Sequence, residues 1–387
     1  MSTPIDALPS RPRDQGQEPG TLPGRRAQLQ ARLPWLAALS VPLLPFIGWA
    51  CNRGFDTTHG WWLPFVFLYG VLPLLDPLLG EDGREVSDDV LAQRERDPFY
   101  RAILLAWLPL HLGCLLLGAW AFVHPGLPWF DALGLILSVG LVTGGGINVA
   151  HELGHKRGAV ARWSARLALA PACYGHFLVE HNRGHHVRVA TPEDPASARL
   201  GESFWRFLPR TLVGSLRSAW ALESVRLQRS GRSVWSPGNE VLLGVLLSAV
   251  LFAGIASAFG ALTLVFLLAQ GFYGATTLES VNYIEHYGLR RQRRADGRYE
   301  RCTPAHSWNS NRRLTNIMLF HLQRHADHHA HPTRPYQTLR HFEAAPQLPA
   351  GYATLVPLTW LPPIWFALMD RRVLAFYDGR RELANTG

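Results

Sequence analysis

The sequence predicts an all-α integral membrane protein, on three observations: a shortage of charge, apolar runs of spanning length, and a one-sided distribution of basic residues. Of 387 residues, 17% are charged and 48% hydrophobic, against about 25% charged in an ordinary soluble domain. A helix needs about 20 mainly apolar residues to cross the hydrocarbon, and runs near that length occupy residues 33–50, 61–79, 102–123 and 132–150. A fifth stretch, 241–278, contains no Asp, Glu, Lys or Arg and is broken near Gly260, which makes two spans joined by a short turn. The expectation is six transmembrane helices.

The net charge of +9 is carried almost wholly by arginine, Lys156 being the single lysine. If the chain changes sides at each span, 37 of the 38 basic residues fall on one side and Arg53 alone on the other. The positive-inside rule places the basic side and both termini in the cytoplasm, and for a bacterial chain the membrane is the cytoplasmic (inner) one. Helices buried inside a soluble protein would show no such segregation.

The resulting organisation is a mostly disordered, Pro-, Gly-, Gln- and Arg-rich cytoplasmic arm at 1–34, and spans one to four at 35–150. A cytoplasmic segment at 151–240, spans five and six at 241–278 and a second cytoplasmic segment at 279–387 follow. The apolar run at 353–369 is interrupted by Pro357, Pro362 and Pro363, so it reads as interfacial or protein-packed rather than as a seventh span. The four cysteines, Cys51, Cys114, Cys173 and Cys302, form no C-x-x-C pair, which signals neither a disulfide scaffold nor a thiolate metal site.

Seventeen histidines are the unusual count. Span four runs into HELGH, which places His151 and His155 at i and i+4 on one helix face, able to reach one metal. Alone, this is also the H-E-x-x-H pattern of zinc proteases, with Glu152 as general base. The same compartment holds EHNRGHH (180–186), with His181, His185 and His186, and HADHH (325–329), with His325, His328 and His329. A single histidine pair is ordinarily a solvated surface feature, but three boxes facing one compartment supply eight imidazoles, enough for two metals. His286 lies just beyond span six, at the depth of His151 beyond span four. Nitrogen ligands without cysteine suit Fe, Mn, Ni, Cu or Zn.

HELGHK (151–156), EHNRGHHVRVATPEDPASAR (180–199), NYIEHYGL (282–289) and LQRHADHHAHP (322–332) together resemble the motif set of the integral-membrane alkane 1-monooxygenases. These are relatives of the membrane fatty acid desaturases and hydroxylases. The resemblance runs from about span two to Tyr336, including DGRYE (296–300) and HSWNSN (306–311). It implies six membrane helices and a cytoplasmic di-iron site held by His151, His155, His181, His185, His186, His286, His325, His328 and His329. The implied activity is hydroxylation of the terminal methyl of medium-chain n-alkanes to 1-alkanols with O2. Electrons would come from rubredoxin, separate or fused, and its NAD(P)H-dependent reductase.

No Gly-rich nucleotide fingerprint and no rubredoxin-type cysteine pair lies in the chain, which agrees with an external donor. Arg290, Arg291, Arg293 and Arg294 could steer an acidic one or contact anionic lipid. Membrane lipid and an alkane drawn from the bilayer are the other expected partners, and nothing points to nucleic acid. Gly144, Gly145, Gly146 and Ile147 of span four, with Thr276, Thr277 and Leu278 of span six, are candidate walls for the alkane, although helix packing explains small residues equally well. Glu152, Glu180, Asp194, Glu285 and Asp327 are candidates to orient ligand imidazoles, and His176 and His331 lie near enough to the boxes to assist. Two other readings stay open: an acyl-lipid desaturase or hydroxylase using the same boxes, and a membrane zinc metalloprotease using HELGH.

Overall fold

The computed structural model describes residues 24–83 and 86–387. Among these the regular elements are helices, and β pairing is limited to isolated bridges. We label the longer helices and one short functional one: α1 Arg25–Phe55, α2 His59–Leu79, α3 Pro98–Phe122 and α4 Trp129–Gly154, then α5 Ala159–Leu169 and α6 Phe204–Arg229. They are followed by α7 Glu240–Phe259, α8 Thr263–His286, α9 His325–Ala330, α10 Tyr352–Thr359 and α11 Pro362–Phe376.

Five of the helices, α1 to α4 and α7, are long and apolar enough to cross a membrane. Helix α8, of comparable length, is apolar only in its first half. Its second half carries Glu279, Asn282, Glu285 and His286, all buried. Those side chains face protein, so α8 continues well past residue 278, where the uncharged run ends.

The first 23 residues of the sequence arm lie outside the described residues. The rest of that arm is helical, since α1 already begins at Arg25. Tertiary contact explains the difference: Arg32 Nε donates to Asp97 Oδ2 at 2.8 Å, and Trp35 packs edge-on against Tyr100, His321 and Tyr336. Propensity and composition see neither partner.

Helices α4 and α8 make the most extensive packing contact in the fold. Their backbones meet at glycine: a Cβ on Gly274 would stand 2.8 Å from Thr143 Cγ2 and 3.0 Å from Gly140 O. In lipid, where apolar surface gains nothing by leaving the tails, such close van der Waals approach is what holds helices together. Gly144 belongs to the same seam, while Gly145 and Gly146 face Trp107 and His111 of α3. A Cβ on Gly145 or Gly146 would collide with Trp107 or His111, and one on Gly144 would stand 3.3 Å from Gly274 O and Thr277 Cβ, so all three glycines serve close helix packing. Overpacking a tight contact typically costs about 1–3 kcal/mol. Gly274→Val is therefore expected to lower the melting temperature of the detergent-purified protein; an unchanged melt would mean that the seam contributes nothing.

Several polar groups within the bundle pair with one another. His111 Nε2 lies 3.1 Å from Thr143 Oγ1, which donates to Gln270 Oε1 at 2.6 Å, and Gln270 Nε2 donates to Pro171 O at 2.9 Å. Asp76, the acid at the end of span two, accepts from the Thr315 amide and hydroxyl, which ties α2 to the segment before the last histidine box. The proline-interrupted run at 353–369 breaks into α10 and α11, and Trp365 of α11 packs on Tyr283 and Tyr287 beside α8.

Candidate metal centre

The C-terminal ends of α4 and α8 stop at the same level, and the sequence motifs meet there. His151 and His155 project from the end of α4 one turn apart, their ring centroids separated by 5.2 Å. His286 is the last residue of α8. His325, His328 and His329 lie on α9, whose six residues are held at that level by Arg324, Asp327 and their partners.

Between α5 and α6 the chain forms a short helical passage, Phe177–Glu180, then a π-helical turn His181–His185, then His186–Arg188. A π turn adds a residue per turn and is frequent at functional sites. Here it brings His181 and His186, five apart, to one point while His185 faces elsewhere. Gly184 leaves room for the Glu180–Arg188 ion pair to lie across the turn, since a Cβ there would stand 2.5 Å from Glu180 Oε2 and 2.6 Å from Arg188 Nη2.

All nine histidines of the motif set come together in two groups, His151, His155, His181, His186 and His328 in one and His185, His286, His325 and His329 in the other. The adjacent pairs His185–His186 and His328–His329 are each divided between the groups. Neighbours on a helix point about 100° apart, so a single H-H pair serves both sides, and the second and last boxes tie the groups together.

The approaching atoms are uniformly Nε2. In the five-histidine group, His151–His328, His186–His181, His181–His155 and His328–His186 stand 2.9, 2.9, 3.2 and 3.2 Å apart at Nε2. In the four-histidine group, His329–His325, His185–His329 and His325–His286 stand 2.8, 3.2 and 3.2 Å apart. Nitrogens bound at roughly 2.1 Å to one ion lie about 3 Å apart at neighbouring positions.

The opposite ring nitrogens test whether these residues suit a metal. His185 Nδ1 is 2.9 Å from Asp194 Oδ2, His325 Nδ1 is 3.2 Å from Glu285 Oε1, and His286 Nδ1 is 3.4 Å from the His306 carbonyl. At His185 and His286 an Nδ1–H held by an oxygen fixes the tautomer that leaves the Nε2 lone pair free for a metal, while Glu285 stands beside His325 as a close contact without a hydrogen bond. Burial, reinforced by neighbouring imidazoles, holds His181, His186, His325, His328 and His329 well below the usual histidine pKa. Burial together with Lys156 takes His155 down to about 3. The donor set is imidazole nitrogen throughout, and it fits a pair of transition-metal ions.

Of the five carboxylates beside the boxes, Asp194 and Glu285 touch box imidazoles. Asp194 also accepts from Ser197 Oγ at 2.6 Å, and Glu285 from Tyr352 OH at 2.9 Å. The others are occupied elsewhere. Glu180 pairs with Arg188, and Asp327 takes both Arg334 and His331. Glu152 binds Lys156 and the Tyr336 amide, so it is not placed as the general base of a zinc protease.

The remaining eight histidines enter neither group. His59 meets Asp131, His321 meets the Tyr336 carbonyl, and His341 meets Asn309. His306 bonds Glu300, which explains why DGRYE and HSWNSN accompany the boxes: together they hold the strut behind His286. Of the basic cluster, Arg290 and Arg291 reach the carbonyls of Ala384, Glu300 and Val187, and Arg293 reaches Glu193, while Arg294 stands exposed.

Sequence reasoning missed Glu223. This fully buried carboxylate receives Arg183, Arg226 and the Glu240 amide at 2.9 Å or less, and so anchors the π turn to α6 and α7. Burial alone would raise its pKa, but the hydrogen bonds from Arg226, Glu240 and Arg183 outweigh burial and bring it down to about 2. A carboxylate depressed in the folded state contributes stability above its ordinary pKa and loses it as pH falls through the folded value. The stability difference between the protein and Glu223→Gln is therefore expected to shrink from about pH 4.5 towards pH 2; a pH-independent difference in thermal melts would contradict this anchor.

A helical membrane protein whose histidines form a paired metal-binding region at one end of the bundle is the class that fold and site define. Residues 127–359 match the family model described as Fatty acid desaturase. The chain is 45% identical over 347 residues to an alkane 1-monooxygenase of Pseudomonas putida, covering 89% of this chain and 86% of that one. It is 44% identical to alkane 1-monooxygenase 1 of Alcanivorax borkumensis, covering 89% and 85%, and 45% identical to the alkane 1-monooxygenase of Acinetobacter baylyi, covering 83% and 78%. The chain belongs to the alkane 1-monooxygenases within the fatty acid desaturase family.

Proposed function

We propose that this protein is a rubredoxin-dependent, non-haem di-iron monooxygenase that hydroxylates the terminal methyl of medium-chain n-alkanes. The observation that carries the reading is the convergence of nine Nε2 atoms in two groups in a chain 45% identical to curated alkane 1-monooxygenases. The overall reaction is R–CH3 + O2 + 2 e− + 2 H+ → R–CH2OH + H2O. A terminal methyl has no acidic proton and no polar handle, so bound iron supplies the oxidising power. The nine histidines hold the two ions, and Asp194, Glu285 and the His306 carbonyl orient the four-histidine side. A shell of neutral imidazoles adds no negative charge and so favours the ferrous state that O2 chemistry starts from.

In this reading α8 is the sixth span, and the ends of α4 and α8 lie at the cytoplasmic face of the inner membrane. The donor meets the five-histidine group, where His155 and His186 are partly exposed and Val187 beside them is 64% exposed. Exposed Arg294 and Arg298 nearby give that face the sign that steers an acidic rubredoxin.

The test is oxidation of n-octane by purified protein with rubredoxin, its reductase, NADH and O2, followed by product chromatography. Formation of 1-octanol, at a rate that falls with ionic strength, supports the reading. Desaturated or hydroxylated acyl lipid with no alkanol would move the protein to the acyl-lipid branch of the same family.

A further inference from the structure

Helices α5 and α6 lie in the chain between the spans α4 and α7, and both are fastened to the point where α7 begins. Arg166 of α5 donates to both carboxylate oxygens of Glu240, the first residue of α7, and the Glu240 amide donates to Glu223 of α6. The two helices therefore sit at the level of a span's end. Their inner faces pack on protein, with Ala161, Ala165 and Ala168 of α5 and Phe204, Phe207 and Ala219 of α6 buried. Their outer faces carry apolar stripes as well, whereas a helix bathed in water turns a polar face outward.

On α6, Trp205, Val213 and Leu216 are exposed and Leu212 and Trp220 half-buried; these five fall within about 100° of one another around the axis. Exposed Trp235 packs on Trp220 at 5.3 Å and widens the stripe. Leu212 also borders exposed Leu268 and Phe272 of α8, so the stripe continues onto the apolar flank of the bundle. On α5, Val160, Trp163 and Leu167 make a second exposed stripe at i, i+3 and i+7. Arginines rim both stripes: Arg206 and Arg217 along one edge on α6, and Arg162 next to Trp163 on α5. All three are exposed and, among the described residues, make no hydrogen bond or ion pair. The six carboxylates of residues 156–240 are each bound to another side chain, so no acid of this segment neutralises them.

We infer that the outer faces of α5 and α6 form a binding surface for anionic phospholipid. Both helices lie in the plane of the membrane interface, with Trp163, Trp205 and Leu216 among the upper acyl chains and Arg162, Arg206 and Arg217 at the headgroup phosphates. An exposed apolar stripe edged with arginine is the pattern of an interfacial helix. Tryptophan concentrates at the membrane–water boundary, and a guanidinium matches phosphate with two parallel hydrogen bonds. An acidic protein would satisfy the arginines but would leave uncovered the stripes that run onto the flank of the spans. The inference is independent of the alkane reading. It seats α5 and α6, in the segment read from sequence as cytoplasmic, in the membrane surface beside the histidine groups.

Native mass spectrometry of the full chain, purified in detergent and supplied with equal amounts of phosphatidylglycerol and phosphatidylcholine, counts the lipids retained. Phosphatidylglycerol is expected in excess, and the double substitution Arg206→Gln, Arg217→Gln is expected to lower that preference by about fivefold per arginine, the scale of one basic residue at an anionic surface. Arg53→Gln removes the same charge at the opposite end of the bundle, near the place where His59 meets Asp131 at the start of α4, and should leave the preference unchanged. Embedding is read without altering an arginine. In vesicles of phosphatidylglycerol with brominated acyl chains, which quench the tryptophans they touch, the quenched share of the fluorescence is expected to fall in Trp163→Phe and in Trp205→Phe.

Equal retention of the two lipids, a preference untouched by the arginine pair, or a loss as large in Arg53→Gln overturns the surface. So does quenching unchanged by both tryptophan substitutions, which would leave α5 and α6 in water. Weaker binding of an acidic rubredoxin by the double variant, with lipid preference intact, would assign this face to the electron donor instead.

Discussion

His328→Ala and His329→Ala are expected to empty different halves of the centre although the two residues are neighbours in sequence. His328 belongs to the five-histidine group and His329 to the four-histidine group. Each substitution removes one donor of a closely matched set, and the loss of metal affinity should exceed the roughly 10–100-fold that follows loss of an outer partner. With two ions needed for one reaction, activity should fall to background in both variants while about one ion per chain is retained. Metal analysis of chelator-dialysed protein, with spectroscopy of the retained ion, checks this. Identical spectra in the two variants would contradict the partition, and full retention in either would remove that histidine from the ligand set.

The second large effect is expected at Asp194, which binds no metal in this account. Its carboxylate holds His185 Nδ1 and also accepts from Ser197 Oγ and the Ala196 amide. Asp194→Ala leaves the His185 tautomer unfixed, and outer-partner losses of this kind cost about 10–100-fold in metal affinity or activity. Asp194→Asn keeps an acceptor oxygen without the charge and should recover part of the loss. Chelator competition measures the affinity. Ser197→Ala, which disturbs the same loop without touching the imidazole, should leave metal affinity near that of the unaltered protein. Equal losses in Asp194→Ala and Ser197→Ala would reduce Asp194 to a loop support.

Much of the centre was legible because its signals are local. The i, i+4 spacing of His151 and His155 and the repeated H-H pairs need no tertiary knowledge. The division of His185 from His186 was not legible, because it depends on the π turn His181–His185, over which the Glu180–Arg188 pair closes at Gly184. Nor was the choice among the five carboxylates. Glu152 and Asp327 stand as close in sequence to a ligand as Asp194 and Glu285 do, and only the fold gives them Lys156 and Arg334 instead.

Composition misplaced the start of α1, because Trp35 finds its partners at residues 100, 321 and 336. It also cut α8 short, because Glu279, Asn282 and Glu285 are buried against protein rather than immersed in lipid. The glycines of span four read equally as a wall for substrate or as helix packing, and the fold sets them in close contact with Trp107, His111 and the Gly274–Thr277 stretch of α8.

The central claim is that two histidine groups hold two iron ions, and the most direct test is metal content per chain on anaerobically handled, detergent-purified protein. The account predicts about two irons per chain and little zinc, since nine nitrogen donors in two groups call for two ions. A single zinc per chain, with no iron retained after anaerobic reconstitution, would contradict it.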